Sequence, residues 1–136
     1  MCEKVFISGS RSVHKYDNKM TNVLFELINK KVDILVGDSD GVDKLVQAYC
    51  SMFRYYNVYV YCVNNKPRNL MCSNFSTVSV DSQGKGREYF AEKDKKMAED
   101  CTRAVAFWDG NSRGTKDNIE RVENLGKDVL TIICRP

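Results

Sequence analysis

The 136-residue sequence is poor in the residues that announce most chemistries: two prolines, one histidine, one tryptophan. A single histidine, His14, argues against a metal site built on imidazoles, and no metal ligand set is expected. No apolar run approaches about 20 residues, so no segment reads as a membrane-crossing helix and no membrane partner is expected. The six cysteines, Cys2, Cys50, Cys62, Cys72, Cys101 and Cys134, contain no C-x-x-C pair. Several fall in apolar stripes, where a thiol behaves as a small hydrophobe, and they read as reduced core or near-core residues. Excess charge is also missing: 21 basic against 18 acidic residues leave +3. That balance lacks the dense basic stripe of a nucleic-acid surface, so nucleic acid is not expected as a partner. The opening MCEKVFISG enters a strand pattern at once, without a leader, and a cytoplasmic protein is expected.

What remains is a globular composition of a length that suits one domain over 1–136. Short β-rich runs alternate with helical spacings. Lys4–Ser8, Asp33–Val36, Asn57–Val63, Arg103–Trp108 and Val129–Cys134 read as strands, and Ser76–Val80 as a further short one. Asp17–Lys31, Gly41–Arg54, Gly86–Asp100 and Thr115–Leu125 carry apolar residues three and four apart, which is helical periodicity. Gly126 is placed to cap the last helix. Strands alternating with helices imply βαβ units and a parallel sheet buried on both faces. The expected fold class is α/β: a Rossmann-like, doubly wound, mostly parallel sheet of about five core strands with helices on both faces. The least regular stretch, Asn64–Gly84, reads as a lid, an edge strand or an interaction surface.

Three strands run into loops of glycine and small polar residues. The first is Gly9-Ser10-Arg11-Ser12. The second is Gly37-Asp38-Ser39-Asp40-Gly41, followed by Asp43. The third runs from Trp108-Asp109-Gly110 through Ser112 and Gly114 to Thr115. In a doubly wound sheet these loops share the carboxyl edge, where ligands bind at the switch in strand order. Glycines bring backbone N–H groups close to an anion, helix N-termini add free donors, and Arg11 adds charge. Asp38, Asp40 and Asp109 suit sugar hydroxyls or a base N–H, and Trp108 or Tyr89 could stack on a base. On the helix from Gly86, Lys93 and Asp94 fall at the margins of the apolar stripe, where charges reach the rim or line a site. Each feature has an ordinary structural use as well, as turn former, first-turn acid or ion-pair partner. No G-x-G-x-x-G follows the first strand and no G-x-x-x-x-G-K-[ST] occurs, so dinucleotide and P-loop chemistry are not indicated and no cofactor is expected.

The stretches VFISGSRS (5–12), LVGDSDGVDK (35–44), KDKKM (93–97) and FWDGNSRGT (107–115) resemble the SLOG superfamily. This Rossmann-like group contains DprA/Smf and the Lonely Guy phosphoribohydrolases, and the chain looks closest to its YspA/YpsA-related branch. Arg68-Asn69 resembles a further element of that branch. The resemblance implies binding of nucleotides or nucleotide-derived signals, and often homodimers. It also implies that the positions of the Lonely Guy catalytic arginine and glutamate are Lys93 and Asn118 here. Lysine loses the bidentate fork, and asparagine cannot serve as a general base. The leading expectation is therefore a module that binds or senses a nucleotide-derived small molecule at the carboxyl edge. The rival is an enzyme acting on an N-glycosidic bond, with Asp94, Asp109 and Lys93 as catalytic candidates. A third reading is a protein-interaction module using Asn64–Gly84.

Overall fold

A computed structural model describes residues 3–136. Met1 and Cys2 lie outside the described residues. Six strands form one sheet: β1 (Lys4–Gly9), β2 (Asp33–Val36), β3 (Val58–Val63), β4 (Ser76–Val80), β5 (Arg103–Trp108) and β6 (Val129–Ile133). Four helices connect them: α1 (Asn18–Asn29), α2 (Val42–Met52), α3 (Arg87–Asp100) and α4 (Arg113–Asn124). The strand order is β4-β3-β2-β1-β5-β6, and every pairing is parallel. The fold is thus α/β and Rossmann-like, with six strands rather than five because Ser76–Val80 pairs with Tyr59–Val63 of β3.

Alternation along β1 shows how the two layers form. Val5 and Ile7 face a core with Met20 and Leu24 of α1 and Val42 and Val46 of α2. Phe6 faces the opposite core with Met97 and Ala98 of α3 and Val122 of α4. The period of two sends neighbouring side chains to opposite faces, and both faces are covered, so β1 is buried from Val5 to Ser8. The described cysteines are all free, and four of the five are buried.

The helix ends follow local chemistry. Asp17 caps α1 by accepting the Met20 N–H at 2.8 Å. Gly126, at φ 75°, closes α4: its N–H reaches the Glu123 carbonyl at 2.9 Å and that of Lys127 the Val122 carbonyl at 3.2 Å, which is a Schellman cap. α4 begins two residues before the expected Thr115, at Arg113, with Ser112 at the N-cap position making no side-chain capping hydrogen bond. Among the described residues no helix is long and apolar enough to cross a membrane.

The switch in strand order falls at β1, whose chain successor β2 lies on one side and β5 on the other. The loops after β1, β2 and β5 leave from the same edge of the sheet.

Candidate functional site at the carboxyl edge

The three loops converge on one cavity of about 860 Å³. Gly9, Arg11 and Ser12 line it from the first loop, Gly37, Ser39 and Asp43 from the second, and Asp109, Ser112, Gly114 and Thr115 from the third. Its walls are two helix faces. α3 contributes Arg87, Phe90, Lys93, Asp94 and Met97; α4 contributes Arg113, Asp117, Asn118 and Arg121. The spacing of three and four within each set places them along one side of each helix.

Packing explains two of the glycines. A Cβ on Gly9 would stand 2.3 Å from the Val42 Cβ, and one on Gly41, at φ 77°, 2.5 Å from the Arg11 Cα and the Ser10 carbonyl oxygen. These glycines let the loops and α2 pack on one another. The sequence suggested glycines that open backbone to a ligand; only Gly114, with nothing within 4 Å of an added Cβ, both lines the cavity and leaves that space free.

Charged groups form the floor. Lys93 is 3% exposed, and its Nζ donates to Asp94 Oδ1 at 2.8 Å. Asn118 Nδ2 donates to Asp94 Oδ2 at 3.4 Å, and Arg121 Nη1 to Asn118 Oδ1 at 2.7 Å. Asp43 faces the same lysine. Burial pushes its carboxyl up to about 6, against the pull of the Lys93 charge and of hydrogen bonds from the Ser39 hydroxyl and N–H. Asp109 behaves oppositely. Burial would raise it, but donors more than offset this: the Ser112 and Asn111 N–H groups, the Ser12 hydroxyl, and Ser10. They hold it at about 2. Among the described residues no group of three or more His, Cys, Asp or Glu side chains is placed to hold a metal ion.

Several sequence candidates belong to the framework around the cavity. Ser10 is 1% exposed, and its Oγ accepts the Asp109 N–H at 2.9 Å. Asp38 is committed to Arg68, whose Nε, Nη2 and backbone N–H all donate to it. Asp40 accepts from Asn69 at 3.1 Å outside the lining. Trp108 Nε1 donates to the Ser112 carbonyl at 2.9 Å, and the Tyr89 hydroxyl accepts from Asn64 at 3.2 Å. Neither ring lines the cavity, and neither does Gly110. The aromatic ring that does, beside the core residue Phe6, is Phe90. Sequence reasoning passed over Phe90, Arg87, Arg113 and Arg121, although their helical register with Lys93, Asp94 and Thr115 was there to be read.

No protein-family model matches the chain, and no curated protein does. A solved structure of DNA processing protein A from Helicobacter pylori, described for its single-stranded DNA binding mode, superimposes with a TM-score of 0.71 at 15% identity. In fold, the chain is similar to DNA processing protein A. The match covers 98% of this chain and 66% of that one, so the chain spans about two thirds of its neighbour's length.

This finding corrects two expectations. The sequence alone suggests a binder or sensor of a nucleotide-derived small molecule, or else an N-glycosidic enzyme, and its charge balance argues against nucleic acid as a partner. The neighbour is described for its binding of single-stranded DNA, which conflicts with both. Net charge, an average over the chain, does not report how the basic residues are grouped in space. Arg11, Arg68, Arg87, Arg113 and Arg121 are scattered in sequence, yet all five line one cavity.

Proposed function

We propose that the chain binds single-stranded nucleic acid across the carboxyl-edge cavity. The observation that carries the reading is the distribution of charge there. Four of the five lining carboxylates are occupied, Asp94 by Lys93, Asp43 by the Ser39 donors, Asp109 by hydrogen-bond donors and Asp117 by Arg87 at 2.8 Å, which leaves the exposed Glu88. Arg113 and Arg121 line the cavity with no ion pair among the described residues, and Arg11 holds only a 4.0 Å contact with exposed Asp40. A strand's phosphates meet these arginines, beside an aromatic wall at Phe90. The fold shared with a single-stranded DNA-binding protein supports the same reading.

Gly9, Arg11, Ser12, Gly37, Asp43, Lys93, Asp109, Ser112, Gly114 and Thr115 belong to this proposed site as its lining. Membership of the SLOG superfamily, and of its YspA/YpsA-related branch, is part of the same proposal, as are a single domain over 1–136 and a cytoplasmic setting.

Fluorescence anisotropy with a labelled oligothymidylate of about 16 nucleotides tests the reading. Binding is expected to weaken with salt, with a log–log slope of about −0.7 for each phosphate contact, and to exceed binding to a duplex of the same length. Absence of binding at low salt, or equal affinity for the duplex, overturns it.

A further inference from the structure

Arg68 stands in the connection between β3 and β4, outside the three loops, yet lines the cavity. Its guanidinium carbon lies 3.8 Å from the centre of the Phe90 ring. Nε and Nη2 donate to Asp38 Oδ1 at 3.1 and 2.8 Å, and the Arg68 N–H donates to Asp38 Oδ2 at 2.8 Å. Asp38 is 1% exposed, and its own carbonyl accepts from Asn69 at 2.8 Å. The guanidinium plane therefore cannot turn without breaking charge-assisted hydrogen bonds to a buried carboxylate. Phe90 is steadied in turn by the edge of Tyr89, 4.9 Å between ring centres.

Arg68 thus differs from Arg11, Arg113 and Arg121 in two ways. Its charge is already balanced by Asp38, and its plane is fixed; Arg87 is paired too, but with the partly exposed Asp117. One face rests on Phe90, 28% of the side chain stays accessible, and Nη1 has no hydrogen bond among the described residues. A planar, immobilised cation beside a groove of arginines suits the π-face of a base better than a phosphate. We infer that Arg68, backed by Phe90, is a preformed stacking platform for a nucleobase of the bound strand, while the unpaired arginines hold its phosphates. The inference rests on the single-strand reading and adds the division of labour within that site. Stacking is tolerant of base identity, since every base offers a π-face, so the platform confers a preference for base-bearing strands rather than for a sequence.

The test compares an oligothymidylate with an abasic strand of equal length, each titrated over a salt series against the wild-type chain and two variants. Wild type is expected to bind the base-bearing strand roughly ten-fold or more tightly. Arg68→Lys keeps a cation beside Asp38 but loses the plane. It is expected to shrink that preference several-fold while leaving the salt slope unchanged, because no phosphate contact is lost. Phe90→Leu keeps the apolar volume and is expected to shrink the preference with the Asp38 pair intact, which decides the matter if Arg68→Lys fails to fold. Unchanged preference in the variants, or a slope in Arg68→Lys reduced by the step a phosphate contact carries, overturns the platform alone. Failure of the wild type to bind either strand instead removes the single-strand reading beneath it.

Discussion

Ser10 Oγ and Ser112 Oγ lie 2.6 Å apart although 102 positions separate them in the chain. The contact ties the loop after β1 to the loop after β5, across the switch in strand order. Ser10 Oγ also accepts the Asp109 N–H, and Ser112 Oγ donates onward to Thr115 Oγ1 at 3.2 Å. Two hydroxyls therefore hold the edge on which the cavity is built.

Ser10→Ala removes the acceptor of the Asp109 N–H inside a nearly closed space. A loss of about 1–3 kcal/mol is expected in urea unfolding. A double-mutant cycle with Ser112→Ala is expected to show coupling above about 0.5 kcal/mol. Strict additivity would show that the two loops are not joined through these hydroxyls.

Two glycines with similar φ predict different costs. Gly41 is at φ 77° with backbone atoms 2.5 Å from an added Cβ, whereas Gly110 is at φ 82° with nothing within 4 Å. Gly110→Ala is expected to cost about 1–2 kcal/mol, from the left-handed backbone alone. Gly41→Ala adds a clash with the first loop and is expected to cost clearly more, read from the urea midpoint. Equal costs would contradict the close packing of the two loops.

How far the sequence discloses this arrangement depends on the kind of signal. Val5, Phe6 and Ile7 announce a doubly covered strand by being continuously apolar, and the three polar loops sit where their glycines place them. Ser76–Val80 carries a weaker signal, because an edge strand with one neighbour is half exposed and its STVSV sequence lacks the apolar run of a central strand. At the site, glycine pattern suggested ligand contact where Gly9 and Gly41 serve packing. Arg68 reaches Asp38 across 30 positions, and Ser12 reaches Asp109 across 97. Such partners are set by tertiary closure, which no local period records.

Asp43 makes stability depend on pH. Its folded value of about 6 lies above the ordinary 3.8, so the folded chain binds a proton more tightly than the unfolded one. Stability is therefore fully supported below about 4 and falls as pH rises toward 6, by on the order of 2–3 kcal/mol. Asp109, lowered to about 2 from 3.8, acts in the other sense: its contribution is present above about 4 and is lost as pH falls toward 2. Urea unfolding in steps from pH 3.5 to 7, a range of about the widths given by these values, is expected to show a flatter profile in Asp43→Asn. The same profile in both chains would contradict the buried, ionisable Asp43.

Lys93→Met keeps the length of the side chain and removes its ammonium from between Asp94 and Asp43. A loss of about 3–5 kcal/mol is expected, because buried carboxylate charge is left unpaired. The Asp43 carboxyl is expected to titrate higher still, followed by carbon-detected NMR across the pH range. An unmoved Asp43 would show that Lys93 does not face it.

The account stands or falls on where a single strand touches the protein. Titrating the isotopically labelled chain with an unlabelled oligothymidylate, and following each backbone amide by NMR, locates the contact directly. The account predicts shifts concentrated at Gly9–Ser12, along Arg87–Asp94 and across Arg113–Arg121, the stretches that meet at the cavity. Shifts confined to the β4 or β6 edge, or none under conditions where the cavity is intact, would contradict it.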